Sequence, residues 1–187
     1  MMSETKKIGI VACGAIAGEL RAVVAASGLK HIDVRYLPAK LHNAPREIPG
    51  AVAAVLVELQ GECDRLYVGY ADCGTAGKLD KVLDKYGASR LPGAHCYAFF
   101  AGLDRFDRLH DAEPGTFYLT DFLARQFETL VFRPLGLDRY PELRDDYFGN
   151  YTRLVYLAQT DDPDLDAKAR SAADRLGLRF ERVDTGL

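Results

Sequence analysis

Two stretches of this chain share one pattern. In each, a mostly apolar run stops at Cys-Gly and passes at once into a helix-like segment. The first is Ile8-Gly-Ile-Val-Ala12 followed by Cys13-Gly-Ala-Ile-Ala-Gly-Glu-Leu20. The second is Leu66-Tyr-Val-Gly-Tyr-Ala-Asp72 followed by Cys73-Gly-Thr-Ala-Gly-Lys-Leu79. A short buried run, a glycine turn and a helix form the βα unit of a parallel sheet. Residues just beyond the carboxyl ends of such strands face the place where open α/β sheets keep their ligands.

The alternation continues along the chain. Ala15–Ala26 has helical apolar spacing and is stopped by Gly28. His31–Leu37 reads as a second strand and Pro49–Gln60 as an apolar helix. Arg65–Tyr70 reads as a third strand, Lys78–Tyr86 as a helix ending at Gly87, and Ser89–Leu91 as a short strand. Tyr97–Ala101 reads as helix. Thr116–Leu119 is a short strand, and the Thr120 hydroxyl suits the N-cap of a helix over Asp121–Phe132. Pro141–Tyr147 reads as a short helix, Arg153–Ala158 as a strand, Asp164–Leu176 as an amphipathic helix and Leu178–Val183 as the last strand. Strands separated by helices of this length predict an α/β protein: a single three-layer domain over residues 1–187 with a mostly parallel sheet and a cysteine-lined crevice at the strand carboxyl ends.

The chain has 187 residues, 48% of them hydrophobic and 27% charged, with a formal net charge of -3. That balance argues against a nucleic-acid or membrane-surface protein. No apolar run approaches the roughly 18 residues that span a bilayer. The polar start, Met1-Met-Ser-Glu-Thr-Lys-Lys7, lacks the layout of a signal peptide and leads to the expectation of a cytoplasmic setting. Thiols are usually reduced there, so the four cysteines are expected to act as thiols or ligands and not as disulfides.

Three cysteines fall at equivalent places: Cys13, Cys73, and Cys96 after Pro92-Gly-Ala-His95. Thiolates are soft ligands suited to zinc and to iron–sulfur clusters, and three of them leave one position open for a histidine, water or substrate. Free cysteines also serve as small core residues, and Cys63, in Gly61-Glu-Cys-Asp64, reads as incidental. Gly14 and Gly74 permit tight turns and close backbone approach at a bound group. His42, in Leu41-His-Asn-Ala-Pro45, and His95 are candidate fourth ligands or acid/base groups. Glu19 and Asp72 flank the cysteines and are candidate acid/base or orienting carboxylates, although such carboxylates also cap turns. Thr120 is a candidate lining residue, and Tyr97, Tyr147 and Tyr151 line a pocket or pack in the core. His31 and His110 read as surface. There is no Gly-x-Gly-x-x-Gly, no P-loop and no Gly-x-Ser-x-Gly, which removes the usual support for dinucleotide, nucleotide and serine-hydrolase readings.

Several of these segments carry a family likeness. Ala12-Cys-Gly14 with Glu19-Leu20, Leu41-His42 with Pro45, Tyr70-Ala-Asp-Cys-Gly74, His95-Cys96 with Gly102, Gly115-Thr-Phe-Tyr-Leu-Thr120, and Tyr151 resemble the family called domain of unknown function 1638. The resemblance spans nearly the whole chain, and its Cys-Gly and His-Cys segments are the most specific. Members are often encoded beside corrinoid-dependent methyltransferases and their corrinoid proteins. The resemblance therefore implies a role in one-carbon methyl transfer, with a small-molecule substrate and a corrinoid protein or methyltransferase as partners. The combined expectation is a metal-binding protein with ligands Cys13, Cys73 and Cys96, holding a [4Fe–4S] cluster or, alternatively, zinc. It would act as a methyl-transfer or redox enzyme or as an accessory factor. Two other expectations stay open: a metal-free module that binds a small molecule or a corrinoid protein, and a metal-free thiol enzyme.

Overall fold

The computed structural model describes residues 6–186. Among the described residues, seven strands and eight α-helices follow one another: β1 Ile8–Cys13, α1 Ala17–Ser27, β2 Ile32–Leu37, α2 Ile48–Gln60, β3 Arg65–Gly69, α3 Lys78–Tyr86, β4 Ser89–Arg90, α4 Tyr97–Ala101, α5 Leu103–Ala112, β5 Thr116–Thr120, α6 Asp121–Arg125, α7 Leu143–Phe148, β6 Arg153–Ala158, α8 Pro163–Leu176 and β7 Arg179–Asp184. The expected single sheet resolves into two, a four-stranded sheet of order β2-β1-β3-β4 and a three-stranded sheet of order β5-β6-β7. Every described pairing is parallel. The chain divides into two compact units, the first ending at Cys96 and the second beginning at Tyr97. No linker marks that division, because Tyr97 opens α4 directly. The expected α/β class with parallel strands is the one observed.

In the first unit the strand order carries the functional information. The chain runs from β1 to β2 on one side, then crosses to β3 on the other side of β1. The β1/β3 boundary is thus the topological switch point, where the connections leave in opposite directions and where open α/β sheets generally keep their ligands. Ala12 pairs with Gly69, and Cys13 pairs with Leu37 across the opposite edge of β1. Cys13 and the segment after Gly69 therefore leave the sheet side by side at the switch point. Helix α2 buries Ile48, Val52, Leu56 and Leu59, and it packs on β1, β2 and β3. Val11, Ala12 and Val68 are 0–1% exposed.

The second unit is built around β6, all six residues of which are buried. Its side chains alternate between two cores, as the two-residue period of a strand demands. Leu154, Tyr156 and Ala158 join residues of α6 and α8, whereas Val155 and Leu157 join Ala98 and Phe106 of α4 and α5. Helices thus cover both faces of this sheet, which explains why β6 reads as a continuous apolar run. Two buried polar groups are fully tied into the unit. Asp121 accepts hydrogen bonds from the Tyr156 hydroxyl (2.7 Å) and the Gln159 amide (3.1 Å). Arg153 donates to the Thr116 hydroxyl (2.8 Å), Glu181 (2.8 Å) and the Leu109 carbonyl (2.7 Å). No described helix is long and apolar enough to cross a membrane.

Two elements differ from the sequence expectation. Helix α4 ends at Ala101, before Gly102, as expected, but past Gly102 (φ +80°) the chain enters a second helix, α5, which the sequence reading leaves out. The expected helix over Asp121–Phe132 is divided, with α6 ending at Arg125 and a π-helical turn at Glu128–Phe132.

Leu157 is fully buried at the centre of the second unit. Leu157→Ala is expected to destabilise the protein by about 2–5 kcal/mol through lost transfer energy and the cavity left behind. Denaturant unfolding followed by circular dichroism checks this, and a change below about 1 kcal/mol would contradict the packing described.

Candidate functional site

The site residues of the first unit are set by three strand exits. At the β1 exit, Cys13 caps a short 3-10 turn, its sulfur accepting the Ala15 amide at 3.4 Å. Gly14 is required there because a Cβ would stand 2.8 Å from the Leu37 carbonyl oxygen and 3.2 Å from the Ala39 nitrogen. Both contacts are backbone atoms of the neighbouring β2 exit and cannot give way cheaply.

The β3 exit is an unusual turn. Cys73 has φ +50° and Ala76 φ +53°, while Gly74 and Gly77 have φ +80° and +74°. Two non-glycine residues in the left-handed region cost roughly 1–2 kcal/mol each, and such strain persists only where the surroundings over-determine it. Asp72 supplies much of that determination. Its carboxylate accepts the Thr75 hydroxyl (2.9 Å), the Gly77 amide (2.9 Å) and the Ala76 amide (3.1 Å), while its carbonyl accepts the Thr75 amide (3.0 Å). The Gly77 amide, with the Thr75 hydroxyl and Ala76 amide, holds the Asp72 carboxyl below the usual carboxylate range. Asp72 thus serves visibly as the clamp of the Cys73 turn.

The β4 exit brings in Cys96. The Asp72 amide donates to the Gly93 carbonyl (3.1 Å) and the Cys73 amide to the Ala94 carbonyl (2.8 Å). Arg90 braces the same loop. It donates to the Leu91 carbonyl at 2.9 Å and the Gly93 carbonyl at 3.3 Å, while Asp80 holds its guanidinium at 2.6 and 3.1 Å. The result is a backbone zipper between the segments that carry Cys73 and Cys96.

The three predicted cysteines interact with one another. Cys73 accepts a hydrogen bond from the Cys96 thiol and further ones from the Ala71 and Cys96 amides, which together outweigh burial and lower its pKa to about 7. The same bond to Cys73, together with burial, drives Cys96 well above the ordinary thiol range. Burial also raises Cys13, against the Ala15 amide that lowers it. All three thiols act on Tyr70, a residue to which the sequence alone assigns no role. Burial, then the neighbouring Cys13, Cys73 and Cys96, keep its hydroxyl protonated. Tyr70 is only 2% exposed, and its hydroxyl lies against the Cys13 sulfur. A tyrosine closing a buried strand just before Ala-Asp-Cys is the available signal, since a polar tip at a buried strand end needs a partner.

The other candidates fall in several places. His42, in the 3-10 turn Ala39–Asn43, is half-buried, and His95 is exposed. The structure brings them together: burial lowers the His42 pKa, and His95 lowers it further. Glu19 lies half-buried in the first turn of α1, where a carboxylate suits the helix dipole. Gly74, with its positive φ, would set a Cβ 3.4 Å from the Pro45 side chain. Thr120 belongs to the second unit, where its hydroxyl accepts the Leu123 amide at 3.3 Å as the expected N-cap of α6. Cys63 is half-buried and free, away from any described disulfide. Among the described residues, no three or more His, Cys, Asp or Glu side chains stand ready to hold a metal ion.

Metal-free protein is expected to alkylate at Cys73 with iodoacetamide at a rate that rises through a midpoint of about 7, because only the thiolate attacks. Cys96→Ala removes the thiol donor and moves the midpoint upward; a wild-type midpoint near the ordinary value of about 8.5 contradicts the assignment. Asp72→Ala, which releases the turn, is expected to cost about 1–2 kcal/mol in chemical denaturation. An unchanged midpoint of unfolding would show that the clamp holds nothing.

No curated protein matches the chain. Residues 36–187 match the family described as protein of unknown function DUF1638. Cys73, Cys96, Tyr70 and both paired histidines lie inside the matched stretch, whereas Cys13 and Glu19 precede it. With most of its length covered by that match, this chain belongs to the DUF1638 family.

Proposed function

We propose that Cys13, Cys73 and Cys96 are the ligands of a [4Fe–4S] cluster in a crevice at the switch point, with one iron left open to a small-molecule ligand. The observation that carries this reading is the convergence of three thiols, from three separate strand exits, around the buried Tyr70 hydroxyl. Three thiolates form a soft donor set, which suits iron–sulfur clusters and zinc. A single zinc draws every sulfur to about 2.3 Å from one point. The described residues hold no such group. A cluster instead takes each thiolate on a different iron, so its ligands surround an inorganic core and need not meet. The cluster is the first reading because the three cysteines come from separate strand exits, with no Cys-x-x-Cys pair among them. His42 and His95 stand as a pair that could position a ligand or move a proton near the open iron.

The physiological setting in this proposal is corrinoid-linked one-carbon metabolism, with the protein as enzyme or accessory factor. Its support is the family resemblance alone.

Anaerobic incubation with ferrous iron and sulfide is expected to give coloured protein with about four irons and four sulfides per chain. Cys13→Ser, Cys73→Ser and Cys96→Ser should each lose most of it. Colourless protein with one tightly held zinc would move the assignment to the zinc alternative. Failure to retain any metal, or full retention in all three variants, would overturn it.

A further inference from the structure

Two of the cysteines at the strand exits of the first unit stand in contact as a pair. The Asp72 amide bonds the Gly93 carbonyl (3.1 Å) and the Cys73 amide the Ala94 carbonyl (2.8 Å), which lays the two cysteine-bearing segments side by side. The Cys73 sulfur in turn accepts both the amide and the thiol of Cys96. Both are free thiols, and their surroundings differ. Cys73 is half-buried, whereas Cys96 is 9% exposed. The Cys73 backbone, at φ +50°, is held by the Asp72 carboxylate through Thr75, Ala76 and Gly77. A disulfide forms only between cysteines whose backbones already lie within reach and whose side chains converge. The zipper supplies the first condition and the thiol–thiol hydrogen bond the second. The other cysteines are engaged elsewhere. The Cys13 sulfur accepts the Ala15 amide, and Cys63 lies before β3, against Gly9.

We propose that Cys73 and Cys96 form a reversible oxidation site that takes a small hydroperoxide as co-reactant and closes as a Cys73–Cys96 disulfide. The more accessible sulfur reacts first. Cys73 attacks the terminal oxygen of the hydroperoxide, the O–O bond breaks, and the leaving oxygen takes the Cys73 proton to depart as an alcohol, or as water from hydrogen peroxide. Cys73 is then a sulfenic acid, and the peroxide has gained the two electrons that the sulfur lost. The buried Cys96 sulfur attacks the Cys73 sulfur, the S–S bond forms, and the hydroxyl leaves with the Cys96 proton as water. In sum, two thiols and one hydroperoxide give one disulfide, one alcohol and one water. A dithiol reverses the change by thiol–disulfide exchange and is itself oxidised to its disulfide. An accessible sulfur poised next to a resolving one is the layout of redox-sensing cysteines. The chemistry needs two sulfurs and no metal, so it stands or falls apart from the cluster proposed above.

The test uses the full chain, freed of metal by a chelator and treated with one equivalent of hydrogen peroxide. Trypsin separates the four cysteines, with Cys13 in residues 8–21, Cys63 in 47–65, Cys73 in 66–78 and Cys96 in 91–105. Mass spectrometry without reduction is expected to find the last two peptides joined, with two of the four thiols lost and the protein lighter by two hydrogens. Dithiothreitol should return all four thiols. In Cys96→Ser the reaction should stop at the sulfenic acid, which dimedone traps on residues 66–78. The linkage itself is read on the wild-type protein and does not depend on how the variant folds. Thiols left untouched by peroxide, a linkage of Cys73 to Cys13 or Cys63, or oxidation that dithiothreitol does not reverse would each overturn the proposal.

Discussion

The arrangement of the first unit depends on two backbone hydrogen bonds, from the Asp72 amide to the Gly93 carbonyl and from the Cys73 amide to the Ala94 carbonyl. They join the exits of β3 and β4 beyond the point where the strands themselves have ended. Because β4 is only two residues long, its strand pairing alone does little to fix the loop beyond it. The zipper carries the register onward, so that the segment bearing Cys96 lies against the segment bearing Cys73. The left-handed Cys73 backbone, the Asp72 clamp and the Arg90 brace all serve this contact. Strain that would relax in a free loop is held here by hydrogen bonds on both sides of the cysteine.

The zipper also makes the thiols unequal. Cys73 is surrounded by donors, including the Ala71 and Cys96 amides, and carries charge readily. Cys96 is the donor of the pair and resists losing its proton. Cys13 stands on the other side of the switch point, with Tyr70 beside it. A site that accepts a metal must remove protons from such thiols, and buried sulfurs release them only where neighbouring dipoles help. Amides of Ala15, Ala71 and Cys96 provide that help from the backbone, where it does not depend on side-chain rotamers.

Much of this is legible in the sequence. The repeated strand–Cys–Gly–helix pattern locates two of the three exits, and apolar runs such as Arg153–Ala158 locate strands directly, because a parallel strand buried on both faces is apolar along its whole length. Thr120 is recognisable as a helix cap by its residue type and position. Other features depend on contacts between segments far apart in sequence. The division of the strands into two sheets comes from which strands pair, and no composition change marks the passage from Cys96 to Tyr97. The roles of Tyr70 and Arg90 come from neighbouring strand exits, and the Asp72 clamp depends on φ values at which only Gly74 and Gly77 hint. Helix α5 is hidden because its charged residues dilute the apolar spacing of Leu103, Phe106 and Leu109.

The central claim is that three thiols from separate strands share one inorganic centre at the β1/β3 switch point. The most direct measurement is a crystal structure of anaerobically reconstituted protein, with anomalous scattering recorded on both sides of the iron absorption edge. The account predicts an iron-specific peak within bonding reach, about 2.3 Å by analogy with zinc–thiolate bonds, of each of the Cys13, Cys73 and Cys96 sulfurs, all belonging to one compact cluster. Iron density that omits any of the three sulfurs, or an iron site elsewhere on the chain, would contradict it.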